Sequence, residues 1–277
     1  MSDDVKLSAY LERIGYSGSI APVIETLEAL HALHPASIPF ENLNSLLGLP
    51  VLLDQASLNQ KLLAEKRGGY CFEQNTMLLR VLRELGFVAK AHLAGVLWGG
   101  RPVEELAPDH MLVSVEIGGV PYLADVGFGG LLMTAPLRLR TGIEQETPLG
   151  TYRLTGEDPA LRLEFRHRGD EWRPVYQFSL EEVPDDSFAT INAALNSDPE
   201  WFFHHHLLVE RAPPAGRRML FDTRLTTHSG DEREIVHPAN VEEMRDVLIQ
   251  TFGIGLAGLD GLDNALQRLI DRHEAAV

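Results

Sequence analysis

Apolar residues recur every three or four positions through the first ninety residues, switch to every second position from about 88 to 178, and return to helical spacing near the C-terminus. An α+β fold is therefore expected, with helices at both ends and strands between them. Leu7, Tyr10, Leu11 and Ile14 fall on one helical face that stops at Gly15. Ile24, Leu27, Leu30 and Leu33 form a second, with Pro35 just beyond, where the helix should stop. A loop with Pro39, Asn42 and Asn44 should follow. Ser57 is the expected N-cap of a third helix that carries Leu58, Leu62 and Leu63 and ends near Gly68 and Gly69. A fourth helix should begin at Cys71, present Phe72, Asn75, Leu78, Leu79, Leu82 and Leu85 on one broad face, and end at Gly86. Asn240 followed by Glu243 resembles a capping box opening a late helix, and LDNALQRLIDRH should form the last.

The bulk properties narrow the function classes. With 277 residues, the chain is long enough for one large or two to three small domains. Its formal charge of −16 opposes nucleic acid or an anionic membrane surface as partner, since both need a basic footprint. No apolar run of signal-peptide or membrane-spanning length is present. One cysteine cannot form an internal disulfide, which fits a reducing compartment, and the cytoplasm is expected.

That cysteine, Cys71, stands two residues after the Gly68-Gly69 pair at a helix start. A helix N-terminus favours the thiolate, the nucleophilic form, and its free N–H groups suit an oxyanion. A lone cysteine is also often just a small buried hydrophobe, and Glu73 opposes a thiolate. A base is the discriminating feature. His110 opens the strand HMLVSVEI, and Asp125 lies in the next, VPYLADVGF, with Gly118 and Gly119 between as a hairpin turn. A two-residue loop pairs Ile117 with Val120, sets His110 opposite Gly127, and puts His110 and Asp125 diagonally on one face. Such a pair would make a Cys-His-Asp triad with Cys71, or it could be an ordinary polar pair on a wet sheet face. The G-x-G-x-x-G run at Gly253, Gly255 and Gly258 follows a helix rather than a strand and reads as a helix stop and loop. His204, His205 and His206 are consecutive and lack partners at zinc spacing, so no metal site is expected.

The segments RGGYCFEQN around Cys71, HMLVSVEI at His110 and ADVGFGG at Asp125 resemble the arylamine N-acetyltransferases of bacterial type. IPFENLN near Glu41, TAPLRL and FFHHHLL near Phe203 extend the resemblance over most of the chain. It implies a helical bundle over 1–87, an antiparallel β-barrel over 88–195 and an α/β lid over 196–277, with a cysteine-protease-like triad. It implies Cys71 as the acetyl-accepting nucleophile, His110 as its base and Asp125 as the residue orienting that base. Phe128, Gly129 and Phe203 resemble positions lining the acyl and arylamine pocket. Arg67 and Glu41 resemble an ion-pair network supporting the site, with Arg13 a further candidate. No bound cofactor is implied; acetyl-CoA is the co-substrate, and small aromatic amines or hydrazines are the acceptors. Two related chemistries use the same residues: a cysteine-triad amidase or hydrolase, and an amide synthase with another acyl donor. A non-catalytic binding protein on this scaffold would leave Cys71 no more reactive than a free thiol.

Overall fold

The computed structural model describes residues 4–275 apart from 168, 215 and 231. The N-terminal segment is helical: α1 (Leu7–Ile14), α2 (Ile24–Ser37), the short α3 (Leu43–Leu46), α4 (Gln55–Leu58) widening into a π-helical turn over Asn59–Ala64, and α5 (Cys71–Glu84). Two expectations need correction. α2 does not stop before Pro35 but runs through it to Ser37. Near a helix end, proline removes one hydrogen bond from the ladder, and Ile38 N–H still closes the last turn onto the His34 carbonyl at 2.8 Å. The N-cap of the third helix is Asp54 rather than Ser57, because Asp54 Oδ1 accepts the Ser57 N–H at 2.9 Å.

β1 (Phe40–Glu41) lies where a loop was expected. A two-residue strand has no periodicity to detect, and its partner, β10 (Leu208–Arg211), is far away in sequence. The barrel strands are β2 (Val88–Val96), β3 (His110–Ile117), β4 (Val120–Ala124), β5 (Leu137–Arg138), β6 (Glu144–Thr147), β7 (Gly150–Thr155), β8 (Leu161–Arg166) and β9 (Arg173–Phe178). They form an antiparallel sheet in the order β5-β4-β3-β2-β9-β8-β7-β6. The sheet curls into a nearly closed barrel. Its two edges meet where Gln145 of β6 donates to the Arg138 carbonyl of β5 at 3.0 Å and accepts the Arg138 N–H at 2.7 Å.

After α6 (Asp185–Ser197) and α7 (Phe202–His205), the chain forms β10, β11 (Arg217–Phe221), β12 (Arg224–Ser229) and β13 (Glu232–Val236). These continue the second sheet, β1-β10-β11-β12-β13. The periodicity had suggested only helices after 178. α8 (Val241–Asp246), capped by the Asn240 side chain as expected, and α9 (Leu262–Glu274) close the fold. Met244 of α8, Leu248 in the π-helical turn Val247–Thr251 that follows it, and Leu262, Leu266 and Ile270 of α9 pack with Val209 and Leu220 of that sheet.

β3 is buried on both faces. Met111, Val113 and Val115 pack with the helices, while Leu112 joins Leu123, Leu154, Leu163 and Tyr176 inside the barrel. His110 has the parity of Leu112 and Asp125 that of Leu123, so both side chains belong to the barrel side. The hairpin register is the one expected: Ile117 pairs with Val120 and Val113 with Ala124. Gly118 and Gly119 have φ of 58° and 79°, which a two-residue turn with both central residues left-handed requires.

Candidate active site

The loop before α5 delivers Cys71 as the first residue of that helix, 4% exposed. The helix start is held by Glu73. Its Oε2 accepts the Tyr70 N–H at 3.1 Å, and its Oε1 pairs with Lys61 Nζ at 2.7 Å. The carboxylate that seemed to oppose a thiolate is thus a helix cap with its own counter-ion.

His110 meets Asp125 through Nε2, 2.7 Å from Oδ2, with both side chains buried. Its Nδ1 is left for the thiol, which acts as its second side-chain hydrogen-bond partner. Cys71 Sγ lies 3.8 Å from the carbonyl oxygen of Asp109, the residue before His110. The structure therefore brings together the three residues that are 54 positions apart in sequence, from Cys71 through His110 to Asp125.

The polar neighbours order the carboxylate. Asp125 Oδ1 accepts from Asn75 Nδ2 at 2.8 Å and from the Gly127 N–H at 2.9 Å. Asn75 also donates to the Met111 carbonyl at 2.6 Å and accepts the Val126 N–H at 3.0 Å. One turn beyond Cys71 on α5, it ties the helix to both triad strands. The Asp125 N–H itself donates to His31 Nε2 at 3.0 Å. Gly127 presses against Cys71: a Cβ there would lie 2.8 Å from Cys71 Cα. Asn75 and His31 were not singled out as site residues. The available signal for Asn75 was an amide on an otherwise apolar helix face four residues after Cys71; His31 carried none beyond being polar on such a face.

Burial is the largest influence on these groups. It pushes the Cys71 thiol up, against the pull of His110 beside it, so the helix start alone does not set the thiol's acidity. Burial would lower His110, but the Asp125 charge and hydrogen bond, with Cys71, outweigh it and hold the imidazole up at about 10. Burial would raise Asp125, yet the charge and hydrogen bond of His110, with Asn75 and the Gly127 N–H, bring it below the ordinary carboxylate range. The proton of the triad is therefore held by the imidazole, against an ionised carboxylate.

The Phe128 ring stands edge-to-face with the His110 ring, centroids 5.1 Å apart, and the Tyr176 ring centroid also lies 5.1 Å from that of His110. Gly129 follows in the same turn, over the Phe40 ring. Phe203, on α7, packs against Tyr70, the residue before Cys71, and against Phe40, with ring centroids 6.0 Å and 5.9 Å apart. Glu41 and Arg67 form a buried pair, Arg67 Nε to Glu41 Oε1 at 2.8 Å, with Arg67 also donating to Asn44 Oδ1 at 2.9 Å. Arg13 does not join them; it donates to the Leu62 carbonyl at 3.3 Å. Of the three consecutive histidines, His205 bonds the Pro199 carbonyl at 2.8 Å and His206 the Asp222 carboxylate at 2.8 Å. Among the described residues no cluster of three metal-ligating side chains occurs, and no helix is long and apolar enough to cross a membrane.

A buried cysteine, imidazole and carboxylate in this hydrogen-bonded order define the class of cysteine-dependent acyl-handling sites. A protein-family model described as N-acetyltransferase matches residues 23–260. The arylamine N-acetyltransferase of Escherichia coli (strain K12) is 40% identical over 253 residues, covering 90% of this chain and 89% of that protein. The arylamine N-acetyltransferase / N-hydroxyarylamine O-acetyltransferase of Salmonella typhimurium is 38% identical, covering 90% and 89%. The structure of the Mycobacterium marinum arylamine N-acetyltransferase in complex with CoA superimposes with a TM-score of 0.89 at 34% identity, covering 96% of this chain and 99% of that one. The chain belongs to the arylamine N-acetyltransferase family.

Proposed function

We propose that this protein transfers an acetyl group from acetyl-CoA to the nitrogen of arylamines or arylhydrazines, or to the oxygen of N-hydroxyarylamines, through an acetyl-Cys71 intermediate. The relatives named for these activities and the neighbour solved with CoA support the substrate classes. The observation that carries the reading for this chain is the buried Cys71, His110 and Asp125 constellation at the start of α5.

In the forward half-reaction, Cys71 sulfur attacks the thioester carbonyl as its proton resides on His110 Nδ1. The free N–H groups that a helix start leaves in its first turn would suit the tetrahedral oxyanion. The C–S bond to CoA breaks and CoA takes the proton, leaving the acetyl thioester on Cys71. In the second half, the amine attacks that thioester while His110 removes its proton, and the Cys71 sulfur leaves. Asp125 keeps the imidazole in the required tautomer throughout, and Asn75 keeps Asp125 in place. Phe128 and Phe203 supply apolar faces suited to an aromatic acceptor. Gly129 lets its turn come down on Phe40, and the buried Glu41–Arg67 pair supports the loop before α5.

The division of labour follows the chain: 1–87 supplies the nucleophile, 88–195 the base and carboxylate, and 196–277 the lid, with α6 crossing the second boundary. Cysteine usage favours the cytoplasm as its compartment. The deciding experiment is intact mass after incubation with acetyl-CoA and no amine. One acetyl group on the wild type and none on Cys71→Ser is expected, with loss of the group and formation of N-acetylated product when an arylamine is added. Steady CoA release with no adduct would replace this reading with that of a hydrolase.

A further inference from the structure

Glu210 is a fully buried carboxylate that the triad chemistry does not use. It stands on β10 directly across from Phe40 of β1, so the two side chains share one face of the second sheet. The turn carrying Phe128 and Gly129 lies on that face. A Cβ at Gly129 would fall 2.5 Å from the Phe40 ring, which leaves room only for glycine. One residue further, the Gly130 N–H donates to Glu210 Oε2, and the Leu132 N–H approaches Oε1 at 3.4 Å. Arg217 of β11 pairs with Glu210 Oε1, and its guanidinium donates to the Gly130 carbonyl. Both backbone polar groups of Gly130 are thus taken by one ion pair of the second sheet, the buried Glu210 and the partly buried Arg217.

The consequence reaches the site through two residues of chain. The turn is closed by short backbone bonds, Gly129 N–H to the Gly127 carbonyl at 3.1 Å and Leu131 N–H to the Phe128 carbonyl at 3.2 Å. Gripping Gly130 therefore fixes Phe128, whose ring stands edge-to-face with His110, centroids 5.1 Å apart. A pocket wall that abuts the reacting groups determines how large an acyl chain can sit on the sulfur.

We propose that Glu210 and Arg217 are positioning residues that latch the 127–132 turn and thereby set the acyl-chain length the site accepts. This rests on the acyltransfer reading above. It makes the second sheet a determinant of donor specificity although neither residue touches the triad.

The test compares wild type with the double variant Glu210→Leu/Arg217→Met, which removes both charges together and so leaves no lone buried ion. Rates of Cys71 acylation by acetyl-CoA and by hexanoyl-CoA are followed by intact mass. The ratio of hexanoyl to acetyl rates is expected to rise at least about fivefold, within the range that a methylene-scale change in a pocket produces. An unchanged ratio in the folded variant overturns the proposal. Hydrogen exchange at the Gly130 amide gives a readout independent of the chemistry, with protection expected to fall at least about tenfold once the carboxylate is gone. Unchanged protection overturns it equally. Glu210→Gln, which keeps one acceptor oxygen, is expected to move both readouts in the same direction by about two- to threefold, and its unchanged values overturn the proposal should the double variant not fold. If the wild type forms no acyl-enzyme with either ester, the acyltransfer reading fails, and Gly130 exchange still decides the latch.

Discussion

Asn75 orients Asp125 as Asp125 orients His110: Asn75 Nδ2 donates to Asp125 Oδ1, whose partner oxygen Oδ2 accepts from His110 Nε2. Removing a buried donor leaves Asp125 Oδ1 short of a partner and the Met111 carbonyl unpaired, costing about 1 to 3 kcal/mol in stability. Asn75→Ala should therefore lower the acylation rate at Cys71 about 10- to 100-fold in protein that still folds, read by stopped-time intact mass with acetyl-CoA. A rate within twofold of wild type would remove Asn75 from the positioning role. Gly127→Ala acts differently, by steric contact with Cys71 Cα, and should cost at least as much without touching any hydrogen-bonding side chain. The candidate nucleophile, base and carboxylate were legible because a lone cysteine at a helix start and a two-residue hairpin leave few arrangements. Asn75 and His31 were not, since their roles depend on atoms of residues that approach only when the helices dock on the barrel.

At the scale of the element, caps and turns decided where helices begin. Asp54 rather than Ser57 caps the third helix, so Asp54→Ala should destabilise the protein by about 1 kcal/mol and Ser57→Ala by only a few tenths, measured as urea midpoints. Equal losses would restore Ser57 as the cap. The same logic explains the unexpected length of α2. Proline ended the pattern in the sequence, but burial of His34, Pro35 and Ala36 against neighbouring residues keeps the last turn helical. Periodicity missed β10 to β13, which the family resemblance implied as part of an α/β lid, for a related reason. β13 is exposed at every position and β11 only partly buried, so neither shows the apolar alternation that marks a half-buried strand.

Across the whole molecule, two buried polar systems join the helical segment to the sheets. The Glu41–Arg67 pair sits where β1 meets both β10 and the loop before α5. Burial would raise Glu41, but Arg67 and Lys61 beside it hold the carboxyl below its ordinary range. Breaking such a pair strands a charge, whereas replacing both partners does not. Arg67→Met alone should cost about 3 to 5 kcal/mol, and Glu41→Gln/Arg67→Met markedly less, by denaturant unfolding; the reverse order would show that a stranded charge is not what the single variant suffers from. The second system is the pair of buried imidazoles on α2. Burial lowers His31 and His34 to about 4, and the Tyr10 hydroxyl and Gln74 amide bond His34 at 2.8 Å and 2.6 Å. The folded protein excludes protons that the unfolded chain binds below about 6.5, so their contribution is complete above that pH and is lost as pH falls toward 4. His110 has the opposite sign: held at about 10, it contributes fully below about 6.5 and less as pH rises through 10. Between pH 7 and pH 5, stability should therefore fall by on the order of 1 to 2 kcal/mol per buried α2 histidine. A His34→Gln variant should lose part of that pH slope, and an unchanged slope would assign the acid sensitivity elsewhere.

The local chemistry of the chain determined a good deal by itself. Helices spaced by 3.6 residues, strands spaced by two, and a glycine pair whose left-handed conformation sets the β3–β4 register are properties of a few neighbouring residues, and they brought His110 and Asp125 onto one face before any tertiary contact was known. Only the folded molecule decided that Cys71 reaches them, that β1 at Phe40 pairs with a strand some 170 positions away, and that Glu210 and Arg217 take hold of Gly130. Those contacts join segments far apart in sequence. They exist because burial leaves each charge, N–H and carbonyl only the partners that three-dimensional packing brings within hydrogen-bonding distance, and no local pattern encodes that choice.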